Sequence, residues 1–362
     1  MNPLCDLMFM NNMNTKITKS NSKKDTDTYM NVNIKNNILI IFNGNYNDRD
    51  FLFEFLLDEK RNLLNIYADR TPFLDYAVKI DDMFSGRIDK ILKNNSLLVN
   101  IGDYGFACVD PGNKDIQYFD KKSKKKGPHQ GDEIIFKIKS EKQKSKYPIG
   151  EVCTVDGLGS FDLFCKIQSG NMHYIHRINR NSNNIGRVIT DDINIYNELK
   201  KIYIEDPSLN IELYSDKDFS LYKLYSLTSK IDNALAHSVK LRSGAEIVFN
   251  HTEAFEVIDV NSGRSSRKNA DSVDDYFYNI NMEAILEASK QIKIRNLSGI
   301  ILIDLINQKK KKRYDELLSY MKEQFLEDNT ITNVIDITSL GIMEITREKI
   351  ETPLRQQLTG RE

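Results

Sequence analysis

The sequence predicts an α/β protein of several domains, with a small barrel of the OB type inserted into a split α+β scaffold. Three observations lead there. Short strand patterns with turn signals crowd together from Met83 to Asp156, and five such strands over about 70 residues suit a small barrel. Strand and helix patterns alternate through the last third, as in a mixed α/β sheet. Strand patterns also resume after the barrel, as if returning to those ahead of it.

Composition limits the reading further. With 362 residues there is material for two or three domains with real cores. The apolar fraction of 40% is ordinary for a soluble globular protein. A formal net charge of −1 excludes a general polycation, so nucleic-acid binding would need local basic patches or metal ions to offset phosphates. No apolar run reaches the ~18 to 20 residues of a membrane span. The N-terminus, "MNPLCDLMFMNNMN", lacks the features of a signal peptide, so a cytoplasmic protein is expected. The four cysteines (Cys5, Cys108, Cys153 and Cys165) form no C-x-x-C pair; they read as free thiols, with no zinc knuckle or redox motif.

In order, residues 1–36 read as a flexible polar tail, too poor in apolar positions to fold alone. Order starts at "NILIIF" (Asn37 to Phe42), and "FLFEFLLD" and "NLLNIYAD" on either side of "EKR" read as a hairpin. Residues 37–82 and 152–236 form the split scaffold and 83–151 the inserted barrel. Its connections "KKSKKKGPHQ" (Lys121 to Gln130) and "KSEKQKSK" (Lys139 to Lys146) are basic, and Tyr104 and Phe106 offer rings for stacking. Basic runs with aromatics suit single-stranded nucleic acid without strict sequence preference. After the barrel, "FDLFCKI" and "NMHYIHRI" read as strands of the scaffold, with His173 and His176 as strand residues rather than metal ligands. "DDINIYNELKKIYI" and "YKLYSLTSKIDNALAH" follow as two amphipathic helices.

Residues 237–362 form the last domain. "HSVKLRSGAEIVFN" and "TEAFEVIDVN" read as paired strands, and a long helix opens at Ser272 with Asp274 and Asp275 in its first turn. "GIILIDLIN" is apolar on both faces, as in a central strand. A helix around "YDELLSYMKEQFL" and a strand "TNVIDIT" complete it.

Two carboxylates carry the chemistry. Asp259 and Asp304 each lie near the end of an apolar strand, where sites of open α/β sheets gather. Neighbouring strands would set them side by side, a repulsion that a cation between them relieves. Hard carboxylate oxygens suit Mg²⁺ or Mn²⁺. Asn261, two residues past Asp259, shares its strand face and is a candidate to orient a phosphate oxygen or the attacking water. Arg264, Arg267, Lys309 and Lys310 are candidates to hold RNA or transition-state charge. Glu253 and Glu283 are either further support for a metal or plain surface acids, the latter favoured for Glu253. This set suits metal-assisted phosphoryl transfer or phosphodiester hydrolysis.

The runs "HTEAFEVIDVNSGRSSR" and "NINMEAILEASKQIKIRNLSGIILIDLIN", with "LGIMEITREK" from Leu340, resemble the catalytic core of the ribonuclease E/G family. "GRIDKILKNNSLLVNIGDYGFACVD" similarly resembles that family's inserted RNA-binding barrel. The resemblance implies an RNase H-like scaffold around the barrel, then a DNase I-like catalytic domain. It also implies an Mg²⁺-dependent endoribonuclease cutting single-stranded RNA in RNA processing or decay. Asp259 and Asp304 would hold the metal, with Asn261 on the scissile phosphate. Three departures stand out: no Arg-Thr pocket for an RNA 5′-monophosphate is readable, Leu98 replaces a barrel aromatic, and no cysteine pair follows the catalytic unit. No zinc site and no zinc-linked dimer are therefore expected, and the oligomeric state stays open. The alternatives are an RNA-binding or ribosome-associated protein of the same fold that does not cut, and a metal-dependent phosphatase.

Overall fold

Three sheets carry the chain from Asn37 onward in the computed structural model. It describes residues 35–70, 78–112, 127–140, 146–153, 162–168, 173–216, 218–263, 272–326 and 328–360. The expected tail lies outside these residues as far as position 34. β1 (Asn37–Tyr46), β2 (Arg49–Leu57) and β3 (Leu63–Asp69) form an antiparallel meander. Asn47 and Asp48 both take positive φ in the first turn, which Asn and Asp tolerate and tight hairpins require. In the second turn the Asp58 carboxylate accepts from the backbone and side-chain amides of Asn62, at 2.8 Å each.

A barrel then interrupts the sheet. β4 (Met83–Ile91), β5 (Leu97–Asn100), β6 (Phe106–Asp110), β7 (Glu133–Ser140) and β8 (Ile149–Val152) close in the order β4-β5-β6-β8-β7-β4, with β6 and β8 parallel. Phe84, Val99, Ala107 and Phe136 fill the interior. "FDLFCKI" does not return to the first sheet as expected. Its short strand β9 (Lys166–Gln168) pairs with β4 at the barrel edge.

"NMHYIHRI" is also corrected. Tyr174, Ile175 and Ile178 recur at helical spacing and form the buried side of a helix, α1 (His173–Arg180). β10 (Ile185–Thr190), α2 (Ile193–Ile202) and β11 (Asn210–Leu213) follow, giving the sheet order β11-β10-β1-β2-β3. Asp192 caps α2 by accepting from the backbone N–H groups of Asn194 and Ile195. Both faces of β1 are buried. Leu39 and Ile41 face α1 and α2; Ile40 and Phe42 face the helices that come next. Those are α3 (Leu221–Leu224) and α4 (Leu227–Leu235), two pieces where one helix was expected, because Ser226 adopts a left-handed conformation between them.

The last sheet has the order β12-β13-β14-β15-β17-β16. A turn over 241–245 splits the first expected strand into β12 (Ser238–Lys240) and β13 (Glu246–His251). β14 (Phe255–Asn261) leads to α5 (Val273–Ile294), β15 (Gly299–Asp304) and α6 (Lys311–Gln324), then to β16 (Thr332–Ile337) and β17 (Ile342–Arg347). α5 and α6 bury one sheet face, with Ile258, Val260, Ile301 and Ile303 packing beneath Ile280, Ala284 and Leu317. α7 (Leu354–Thr359), not foreseen from the sequence, inserts Leu354 and Leu358 into the core of the first sheet. The barrel is tied to the same segment: Ser140 Oγ donates to the carbonyls of Lys349 (2.8 Å) and Ile350 (3.1 Å).

Candidate active site

β14 and β15 run parallel, and their register sets Asp259 directly opposite Asp304. Adjacent strands lie about 4.8 Å apart, so the two carboxylates leave the same sheet face as neighbours. It is the face that α5 and α6 leave open. The alternate residues Ile258, Val260 and Ile303 point into the core, which fixes the outward set. Asn261 Nδ2 donates to Asp259 Oδ2 at 2.8 Å, leaving the amide oxygen for another partner. Among the described residues no cation pairs with either aspartate. Like charges opposite one another on a sheet destabilise it. Two hard carboxylates beside an amide oxygen fit Mg²⁺ or Mn²⁺, which accept few protein ligands and keep water. Among the described residues no three His, Cys, Asp or Glu side chains gather around one point.

α5 holds both flanks of this face. Asn281, fully buried, accepts from Ile306 N at 3.0 Å and donates to Ile306 O at 2.7 Å. It fixes the chain two residues beyond Asp304. Glu283 accepts from the backbone N–H groups of Arg242 (2.6 Å) and Ser243 (3.2 Å), anchoring the turn before β13. That turn meets the exit of β14, since a Cβ on Gly263 would lie 3.0 Å from Gly244 O. Glu283 is thus committed to a turn, not to a metal. Sequence reasoning weighed Glu283 and passed over Asn281, although both lie in the quoted run that begins "NINMEA".

The loop after β15 is tightly held. Gly341 takes φ +88°, and a Cβ there would meet Asn307 Oδ1 at 2.9 Å, so glycine is required on both counts. Arg313, in the first turn of α6, is drawn to Asp274 (3.0 Å) and Asp275 at the start of α5. This pairing explains one cation of the basic run at a helix start, where the dipole disfavours it. Lys309 and Lys310 are exposed, and their ammonium groups have no ion pair among the described residues. Arg264 and Arg267 lie outside the described residues. Glu253 is exposed in the turn before β14.

On the barrel, Phe106 is half-buried on the outer surface, 5.9 Å ring to ring from the exposed Tyr147. Tyr147 was not singled out from the sequence. Tyr104 is half-buried edge-on against Phe84 at 5.0 Å, with Lys166 Nζ 5.1 Å from its ring, so less of its face is open. Within the basic runs, Lys139 is paired with Glu151 at 2.8 Å.

The two histidines sit one helical turn apart, away from these groups. His173 bridges Glu54 (2.9 Å) and Glu351 (2.8 Å) and stacks on Tyr67 at 3.5 Å. Burial alone would favour the neutral ring, but the two carboxylates overcome it and push His173 up to about 10. Glu351 is held down to about 2, its burial outweighed by His173 and the nearby arginines. His176 faces Asp81 at 3.1 Å, yet burial pulls its pKa below the ordinary value. His173 thus joins the first sheet to the segment before α7, and His176 faces the chain that enters the barrel.

Comparison with known proteins fits this geometry. The model of the ribonuclease E/G family matches residues 167–350. Ribonuclease G of Escherichia coli K12 is 28% identical over 161 residues, 44% of this chain and 32% of that protein. Ribonuclease E of the same strain is 29% identical over 175 residues, 47% of this chain and 16% of its own length. Ribonuclease E of Buchnera aphidicola from Schizaphis graminum is 33% identical over 144 residues, 40% of this chain and 15% of that protein. The matched part is at most about a third of these relatives. Among the described residues no helix is long and apolar enough to cross a membrane.

Proposed function

Because this chain belongs to the ribonuclease E/G family, we propose that it is an endoribonuclease that hydrolyses phosphodiester bonds of single-stranded RNA with a divalent metal, in RNA processing or decay in the cytoplasm. The observation that carries the reading is the in-register pairing of Asp259 with Asp304 on parallel strands, with Asn261 bonded to the first.

In this reading Asp259 and Asp304 hold Mg²⁺ or Mn²⁺. When bound, such an ion supplies polarisation of the phosphate and acidification of the attacking water. Asn261 keeps Asp259 in one rotamer through one Nδ2 hydrogen and offers the other to the scissile phosphate. Asn281 and Glu283 fix the two strand ends, so the carboxylates do not have to reorganise during reaction. Lys309 and Lys310 hold the RNA backbone beside the cut, and Arg264 and Arg267 are assigned to the same task from sequence alone. The five-strand barrel order, with its one parallel pair, supports an OB-type RNA-binding module using Phe106, Tyr104 and basic connections. The order β11-β10-β1-β2-β3 supports an RNase H-like scaffold, and the one-sided last sheet a DNase I-like catalytic unit.

The test is incubation of the purified chain with end-labelled, A/U-rich single-stranded RNA in Mg²⁺ or in EDTA. Internal cuts that require Mg²⁺ are expected. Tight binding with no cleavage in either condition would replace this reading with that of an RNA-binding protein that does not cut.

A further inference from the structure

A cavity of about 290 Å³ opens between the end of α4, the turn before β14, the end of α5 and α7. Arg295 forms part of its lining and is only 5% exposed. Its Nε donates to Gln291 Oε1 at 2.9 Å and its Nη1 to Ala236 O at 2.8 Å. One face of the guanidinium lies 3.7 Å from the centre of the Phe249 ring. Nη2 is buried and has no hydrogen-bond partner among the described residues. A second guanidinium, that of the exposed Arg355, lines the same cavity without an ion pair among the described residues. Burial, and then repulsion from Arg355, brings Arg295 down to about 10 against the attraction of Glu287. Two acids also line the cavity. These are Glu253 and Glu256, the latter engaged by His251.

Burying a guanidinium with one N–H edge left without a hydrogen-bond partner is costly, and a second guanidinium on the same cavity adds to the cost. We propose that this cavity binds a small phosphate monoester of mononucleotide size, its phosphate facing Arg295 and Arg355. Its organic part rests on the apolar wall of Ala234, Leu235, Leu297 and Pro353. A phosphate monoester presents three terminal oxygens that can meet the N–H edges of two guanidinium groups at once, whereas a carboxylate presents two. The volume sits at the small end of ligand pockets, which suits a nucleoside monophosphate. None of these residues belongs to the Asp259–Asp304 face, so the proposal stands apart from the cleavage reading.

Isothermal titration calorimetry of the whole chain in EDTA tests it, with uridine 5′-monophosphate, inorganic phosphate and uridine as separate titrants. The monophosphate is expected to bind, inorganic phosphate more weakly, and uridine not at all. Arg355→Gln, at an exposed position, should weaken the monophosphate by about tenfold, and Asp259→Asn should leave it unchanged. No heat at millimolar monophosphate, equal binding of uridine, or an unaffected R355Q would overturn the proposal. So would loss of binding in D259N, which would relocate the ligand to the strand-end carboxylates. Inorganic phosphate binding as tightly as the monophosphate would overturn the part assigned to the apolar wall.

Discussion

Asn281→Ala tests whether the loop after Asp304 is held from behind. In the wild type the Asn281 amide makes two bonds to Ile306, one to N and one to O. The Ile306 carbonyl keeps a second donor, Gln308 Nε2 at 3.0 Å, so its loss is partial. The Ile306 N–H has no such reserve and becomes a partly buried unpaired donor, costing about 1–3 kcal/mol. With about 1 kcal/mol for the second bond and the small void, the variant should lose roughly 2–4 kcal/mol. Urea unfolding followed by circular dichroism measures this. The same substitution frees the chain two residues from Asp304, so kcat should fall at least tenfold while KM for a short RNA changes little. That split marks a positioning role. A variant within 0.5 kcal/mol of wild type (~ the scatter of neutral surface changes), or one that cleaves normally, would refute the reasoning.

His173→Gln should make stability depend on pH differently. His173 titrates near 10 in the fold against 6.5 when free, so its contribution is full below pH 6.5 and disappears as pH rises toward 10. Glu351, at about 2 against 4.5, contributes above pH 4.5 and loses that as pH falls toward 2. The gap between wild type and H173Q should therefore peak between these two ordinary values, at about 3 kcal/mol, and shrink on either side; melting curves from pH 3 to 10 show it. Phe106→Ala should weaken single-stranded RNA by about 1–3 kcal/mol with little change in melting temperature, read by fluorescence anisotropy. Lys309→Gln with Lys310→Gln should flatten the salt dependence of RNA binding by about 0.7 per lost phosphate contact on a log–log plot.

The pairing of Asp259 with Asp304 was legible because both strands carry dense apolar runs ending in an acid, and strand periodicity then dictates a shared face. α5 was legible to its Ser272 cap, because a capping serine and two acids mark a helix start locally. Errors came where distant contacts decide. Tyr174, Ile175 and Ile178 fit a helix spacing in a stretch too short to decide against a strand, and packing against Leu39 and Ile41 settles it. α7 has two apolar anchors, Leu354 and Leu358, and makes sense only with the first sheet's core in view. The partners of Asn281 and Arg313 lie 25 and 39 residues away, and no local pattern names them.

Single-turnover cleavage of a short single-stranded RNA at saturating protein, comparing wild type with Asp259→Asn and Asp304→Asn, tests the central claim most directly. The reading predicts cleavage in Mg²⁺ by wild type alone, a rate loss of at least about a thousandfold in each variant, and RNA affinity within a few-fold of wild type in all three. Either variant cutting at the wild-type rate with its binding intact would contradict the assignment of the two carboxylates.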